Sequence, residues 1–144
     1  MNLVKIAHVP PVAIGHKAMV SDAVKAMVEN SVGAVAIVEA GEIKGIFSER
    51  DVMKKVIYLS LAPEKTLVSD VMTTDVELIR SDMSSTEALR LMMDRHIRHL
   101  PIVDEQGKIL GILSIRNLLH SLVEELEDSV NTITSYFNAD GGGG

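Results

Sequence analysis

No cysteine and no tryptophan occur among the 144 residues, and aromatic residues make up only 3% of them. Without cysteine there can be no disulfide, thiolate metal ligand or cysteine nucleophile, and such a composition suits a reducing cytoplasm. Scarce aromatics and a formal net charge of −6 leave neither the basic footprint nor the stacking surfaces of a nucleic-acid binder. No apolar run approaches the ~20 residues that span a bilayer. The N-terminus has one early lysine and no long apolar stretch, so it does not read as a signal peptide. Nor is there a nucleophile–base–orienter set, a metal constellation or a Walker-type glycine loop; the expectation is a protein that is not an enzyme.

What the chain does contain is itself, twice. Val35-Ala36-Ile37-Val38-Glu39, a turn, and Ile43-Lys44-Gly45-Ile46-Phe47-Ser48-Glu49-Arg50-Asp51 return as Leu100-Pro101-Ile102-Val103-Asp104, a turn, and Ile109-Leu110-Gly111-Ile112-Leu113-Ser114-Ile115-Arg116-Asn117. A repeat of this length means two copies of one supersecondary unit packed together. Halves of about 65 residues bury little core alone, so they should depend on one another. Ala23 and Ala88 are 88 − 23 = 65 residues apart, whereas Ser48 and Ser114 are 114 − 48 = 66 apart. The second repeat therefore holds one more residue, most simply in its turn.

Helical periodicity marks Ala23, Val24, Met27 and Val28 behind Ser21-Asp22, and Ala88, Leu89, Met92 and Met93 behind Ser84-Ser85-Thr86-Glu87. The apolar runs 34–38 and 43–47, and 99–103 and 108–113, read as buried hairpins. Ser48 caps a helix to about Tyr58 with Val52, Met53 and Val56 inward, and Ser114 caps another to about Leu126. Short extended segments at 12–14 and 76–79 precede the first helix of each repeat. The order per repeat is β-α-β-β-α. Residues 1–69 form the first repeat with its linker, 70–135 the second, and 136–144 a flexible glycine-rich tail.

Gly45 and Gly111 each precede a cap by three residues, inside strands where glycine usually marks close approach of another backbone or a ligand. A hydroxyl and a carboxylate beside a helix N-terminus can form a capping pair, or can hold a polyol such as ribose with phosphate nearby. Duplication of the pattern in matching context favours the ligand reading.

With these motifs, together with Val71-Met72-Thr73 and Ile97-Arg98-His99-Leu100-Pro101-Ile102-Val103-Asp104, the sequence resembles the paired CBS domain. This is the cystathionine-β-synthase-type regulatory module, also called a Bateman module. The resemblance covers about residues 7 to 126. It implies an α+β fold of tandem domains packed with pseudo-twofold symmetry, and two clefts that each draw on both repeats. One cleft would join Ile46, Ser48 and Asp51 to Ile97, Arg98 and His99. The other would join Ile112, Ser114 and Asn117 to Val32, Gly33, Ala34 and Val12. The implied ligand is an adenosine nucleotide, AMP, ADP or ATP, held as a regulatory ligand rather than a catalytic cofactor.

The first cleft, with a carboxylate for ribose and an arginine and histidine for phosphate, is expected to bind more tightly. In the second, Asn117 replaces the aspartate and Gly33-Ala34 bring no cation. His96 and His99 form an H-x-x-H pair without a third ligand, so no metal is expected. The resulting expectation is a stand-alone cytoplasmic regulatory module, homodimeric through the 21–30 and 85–95 helices, acting on an unidentified protein partner. The alternatives are a dimerisation module with vestigial clefts, or a binder of S-adenosylmethionine or NAD(H).

Overall fold

Ala23 and Met27, one helical turn apart, lie on the buried face of α1 (Val20–Asn30). Asp22 holds the start of that helix by accepting the Met19 N–H at 2.9 Å, so the cap sits before Ser21 rather than at it. Ala88 and Met92 do the same for α4 (Ser85–Arg95), where Ser84 Oγ accepts the Glu87 N–H at 3.1 Å. Both helices end on a left-handed residue, Ser31 (φ 53°) and His96 (φ 54°), at matching places in the repeat. The computed structural model describes residues 2–141, with side chains from Asn2 to Asn138.

After each of these helices comes an antiparallel hairpin, β2 (Ala34–Glu39) with β3 (Glu42–Ser48), and β4 (His99–Val103) with β5 (Ile109–Ser114). The last pairs before the turns are Val38 with Ile43 and Val103 with Ile109, separations of 43 − 38 = 5 and 109 − 103 = 6. The extra residue of the second repeat therefore does lie in its turn.

A third strand, β1 (Ala13–Gly15), runs parallel to β2. Its counterpart in the second repeat was expected at 76–79 but shrinks to a single bridge between Ile79 and Ile102. Proline explains the loss. Ala36 donates its N–H to Val12 O at 2.9 Å, fastening the approach to β1. Pro101 occupies the matching place in β4 and has no N–H to give.

Two apolar cores result, and each contains a segment that precedes the other repeat. Leu3, on a 3-10 turn (Leu3–Lys5), is fully buried among Ile79, Ala88, Met92, Leu100, Ile102, Leu113 and Leu118. Val68 and Val71, on α3 (Val68–Val71), are buried with Val20, Val35, Ile37 and Phe47. Beyond them, His8 bridges Ile112 and Thr73 bridges Ile46. Packing thus departs from a sequential division at residue 69, because the lead-in of each repeat is exchanged.

Burying Leu3 and Val68 contributes about 1.5–3 kcal/mol each and joins the halves. The exchange also accounts for the two glycines. A Cβ on Gly45 would lie 2.8 Å from Thr73 O, and one on Gly111 would lie 3.0 Å from His8 O. Met72 Sδ at 2.6 Å and Val9 Cγ2 at 2.9 Å are closer still, so both glycines make room for the exchanged segments, side chain and backbone alike.

The helix after β3 begins as α2 (Glu49–Asp51) and continues as a π-helical stretch, Val52–Ile57, where Tyr58 N–H reaches Met53 O at 3.0 Å. The wider turn shifts the helical phase. Met53, expected inward, is 59% exposed, while Val56 remains buried. The final helix, α5 (Ile115–Gly141), continues past Leu126, so 136–141 are helical where a flexible tail was expected. Residues 142–144 of that tail lie outside the described residues. Among the described residues no helix is long and apolar enough to cross a membrane.

Candidate functional site

Because the lead-ins are exchanged, the starts of β2 and β4 meet between the repeats. There a cleft of about 870 Å³ opens. The first repeat contributes Val12, Ser31, Val32, Gly33, Ala34 and Glu49; the second contributes Arg98, His99, Ile112, Ser114, Ile115, Arg116, Asn117 and His120, and the lead-in adds His8. All seven residues expected in the second cleft therefore come together. Arg98 and His99, expected beside Asp51, line this cleft too. That corrects the expectation of a cleft without cations.

The other expected set is divided. Ile46, Ser48, Asp51 and Ile97 are not among the residues lining this cleft. Asp51 is buried and its oxygens are already engaged. Oδ2 accepts the Ser48 N–H at 3.0 Å and Oδ1 accepts the Thr73 hydroxyl at 3.1 Å, with Lys55 Nζ 3.2 Å from Oδ1. Ile46 pairs with Thr73, and Ile97 packs on the second core. Arg50 donates to His96 O at 3.1 Å, tying the two repeats together on this side. In physical terms, the carboxylate fastens the exchanged Thr73 segment to the first repeat.

In the open cleft, Ser114 Oγ accepts the Asn117 N–H at 3.1 Å, and Ile115 donates its N–H to Arg98 O at 2.8 Å. Two N–H groups at the start of α5 thus have protein partners, so an anion here would rely on side-chain donors. Arg98 and Arg116 are exposed, and among the described residues neither takes part in an ion pair. His120 is 2.9 Å from Glu124. Val12, Val32, Ala34 and Ile112 supply apolar wall.

Glu49 gives the cleft an acidic end. Its N–H donates to Gly33 O at 3.0 Å, and its carboxylate and His99 both crowd Gly33, where a Cβ would lie 3.1 Å from Glu49 Oε1 and 3.3 Å from His99 Nε2. Burial lowers the pKa of His99 from the ordinary 6.5; Glu49 pulls it up, and Arg98 and Arg50 push it down.

Folding therefore favours neutral His99, and below 6.5 the unfolded chain binds more protons at this site than the folded one. The His99 contribution is complete above 6.5 and is lost as pH falls through 6.5 and then through the lower folded value. His99→Gln should flatten the fall in Tm as pH drops below about 6.5. An unchanged slope in thermal melts across that range would assign the pH dependence elsewhere.

Sequence reasoning missed Glu49, Arg116 and His120 as cleft residues, along with His8, Ser31 and Ile115. Arg116 and His120 were accessible in principle, being four residues apart at the start of the helix that Ser114 caps. His8 had no local signal, because only the exchange brings it here. Among the described residues no group of three or more His, Asp or Glu side chains could hold a metal ion.

Comparison with known proteins bears on both repeats. The family described as CBS domain matches twice, over residues 4–58 and 68–124. An uncharacterized protein of Methanopyrus kandleri is 40% identical over 89 residues, which are 61% of this chain and 45% of that protein. A mitochondrial CBS domain-containing protein of Arabidopsis thaliana is 34% identical over 122 residues, 81% of this chain and 59% of that protein. The chain thus spans about half the length of these relatives. Among solved structures, a CBS-domain protein from Burkholderia ambifaria superposes with a TM-score of 0.79 at 31% identity, covering 86% of this chain and 95% of its own. A hexameric CBS-CP12 protein from bloom-forming cyanobacteria, 22% identical with a TM-score of 0.75, shares the fold over 96% of this chain and 88% of its own.

Proposed function

The chain belongs to the CBS-domain family, and from that premise we propose that it is a regulatory module whose inter-repeat cleft binds an adenine nucleotide, AMP, ADP or ATP. The observation that carries this reading is the meeting of Arg98 and Arg116 with Ser114 and Asn117 in one cleft walled by apolar residues. Val12, Val32, Ala34 and Ile112 suit the purine, Ser114 and Asn117 the ribose hydroxyls, and the two arginines the phosphates. Glu49 repels phosphate and so orients the ligand with its charge toward Arg98 and Arg116. The volume of about 870 Å³ falls within the range of about 300–1,000 Å³ typical of small-molecule sites.

A ligand touching both repeats links their relative arrangement to nucleotide concentration. It does so only if it binds one arrangement better than another, since equal affinity shifts no population. Regulation then consists of transmitting that shift to a protein partner or to the association state.

Thermal melts against AMP, ADP, ATP, S-adenosylmethionine and NADH test the proposal. The adenylate that fits should stabilise the fold by about 2.7 kcal/mol at a hundredfold excess over its Kd. Ser114→Ala with Asn117→Ala should reduce that shift while leaving the ligand-free Tm within a few degrees. A shift confined to S-adenosylmethionine or NADH would change the ligand; no shift with any of them, in a chain that still dimerises, would make this a structural module.

A further inference from the structure

Past Leu122, α5 leaves the body of the molecule. From Val123 to Asn138 every side chain is exposed, yet apolar residues continue. Leu119, Val123, Leu126, Val130, Ile133 and Phe137 are between 43% and 68% exposed, and they are spaced by four, three, four, three and four residues. Alternating fours and threes are a heptad seam, with Val123, Val130 and Phe137 at a and Leu119, Leu126 and Ile133 at d. A helix this long without a packed face draws little stability from its own hydrogen bonds. Something must cover the stripe.

We infer that its occupant is the same stripe on a second molecule of this chain, the two forming a parallel, two-stranded coiled coil. Valine at two of the three a positions and leucine at two of the three d positions make the combination that favours two parallel strands, with Phe137 and Ile133 closing the C-terminal end of the seam. The flanking positions agree. In a parallel pair Glu127 at e meets Leu122 at g of the partner helix, and Thr134 meets Ser129, so no like charges oppose. Glu124, Glu125 and Asp128 fall at b, c and f, away from the seam.

Full antiparallel overlap would instead bring Glu127 close to its own counterpart. The surface also has the receiving shape: Val123, Leu126, Glu127 and Val130, at a, d, e and the next a, line a shallow groove of about 360 Å³ with Asn131. Four residues at those positions make the hole that accepts a knob. A membrane surface fits less well, because no Lys or Arg follows Arg116 to meet anionic headgroups. The inference rests on α5 alone and is independent of nucleotide binding.

Sedimentation equilibrium on the full chain should give a dimer. Leu126→Asp, at a side chain 67% exposed, should halve the mass while far-UV circular dichroism and the melting of the body persist. Because the chain has no cysteine, Val130→Cys provides a second readout that needs no destabilising change. In a parallel pair it should cross-link under mild oxidation, which requires Cα atoms within about 7 Å, whereas Glu125→Cys should not. A monomeric wild type, a dimer that survives Leu126→Asp, equal cross-linking at both positions, or a monomer that binds phosphatidylserine vesicles through this stripe would each overturn the inference.

Discussion

Asp51→Ala should lower stability by about 3 kcal/mol, roughly 10 °C in Tm, and leave nucleotide affinity essentially unchanged. The carboxylate is buried, receives the Ser48 N–H and the Thr73 hydroxyl, and faces Lys55 at 3.2 Å. Its removal takes away a helix cap worth about 1 kcal/mol and leaves polar groups short of a partner. The side chain of Lys55 is 39% exposed and stays partly hydrated, so the loss falls short of that for a fully buried pair. Asp51→Asn keeps an acceptor and should lose less. A stable Asp51→Ala protein with abolished nucleotide response would return the site to the Ser48 side. Urea unfolding and calorimetric titration on the same samples separate the outcomes.

Arg98→Ala should weaken ATP and ADP binding by about 10- to 100-fold, equivalent to about 1.4–2.7 kcal/mol. Adenosine, which has no phosphate, should bind as before. The guanidinium is exposed at the cleft and takes part in no ion pair among the described residues. Truncating it should therefore change ligand-free stability by less than about 0.5 kcal/mol. The same contacts predict that affinity for ATP falls with added salt more steeply than affinity for AMP. Equal losses for adenosine and ATP would mean that Arg98 supports the cleft wall instead of a phosphate.

Much of this arrangement was legible in the chain because strand and helix patterns are local. Ala23 with Met27 and Ala88 with Met92 declare a buried helical face, and Ser84 and Ser114 declare caps. The glycines at 45 and 111 signalled a close approach, but only the fold decides between another chain segment and a ligand, and the answer is the exchanged segments around Met72-Thr73 and His8-Val9. Pro101 could have warned that the second repeat would lose its first strand, since a missing N–H is a property of the residue itself.

Three features depended on tertiary placement. The exchange of Leu3 with Val68 is invisible locally, because both simply look apolar. Which side of the interface Arg98 and His99 face follows from how the two sheets meet, and no spacing encodes it. Consumption of Asp51 by Thr73 requires knowing that residues 22 apart in sequence touch. The same motif that resembles a ribose clamp in sequence serves as a fastener in the structure.

In the proposed binding mode the nucleotide sits where Gly33 and Ala34 of one repeat face Ser114 and Asn117 of the other. The decisive experiment is a crystal structure of the full chain grown with ATP. Adenosine density should lie between the Val32–Ala34 and Ser114–Asn117 segments, with phosphate oxygens on Arg98 or Arg116. ATP bound beside Ser48 and Asp51 with Thr73 displaced, or a cleft that stays solvent-filled at saturating nucleotide, would contradict it.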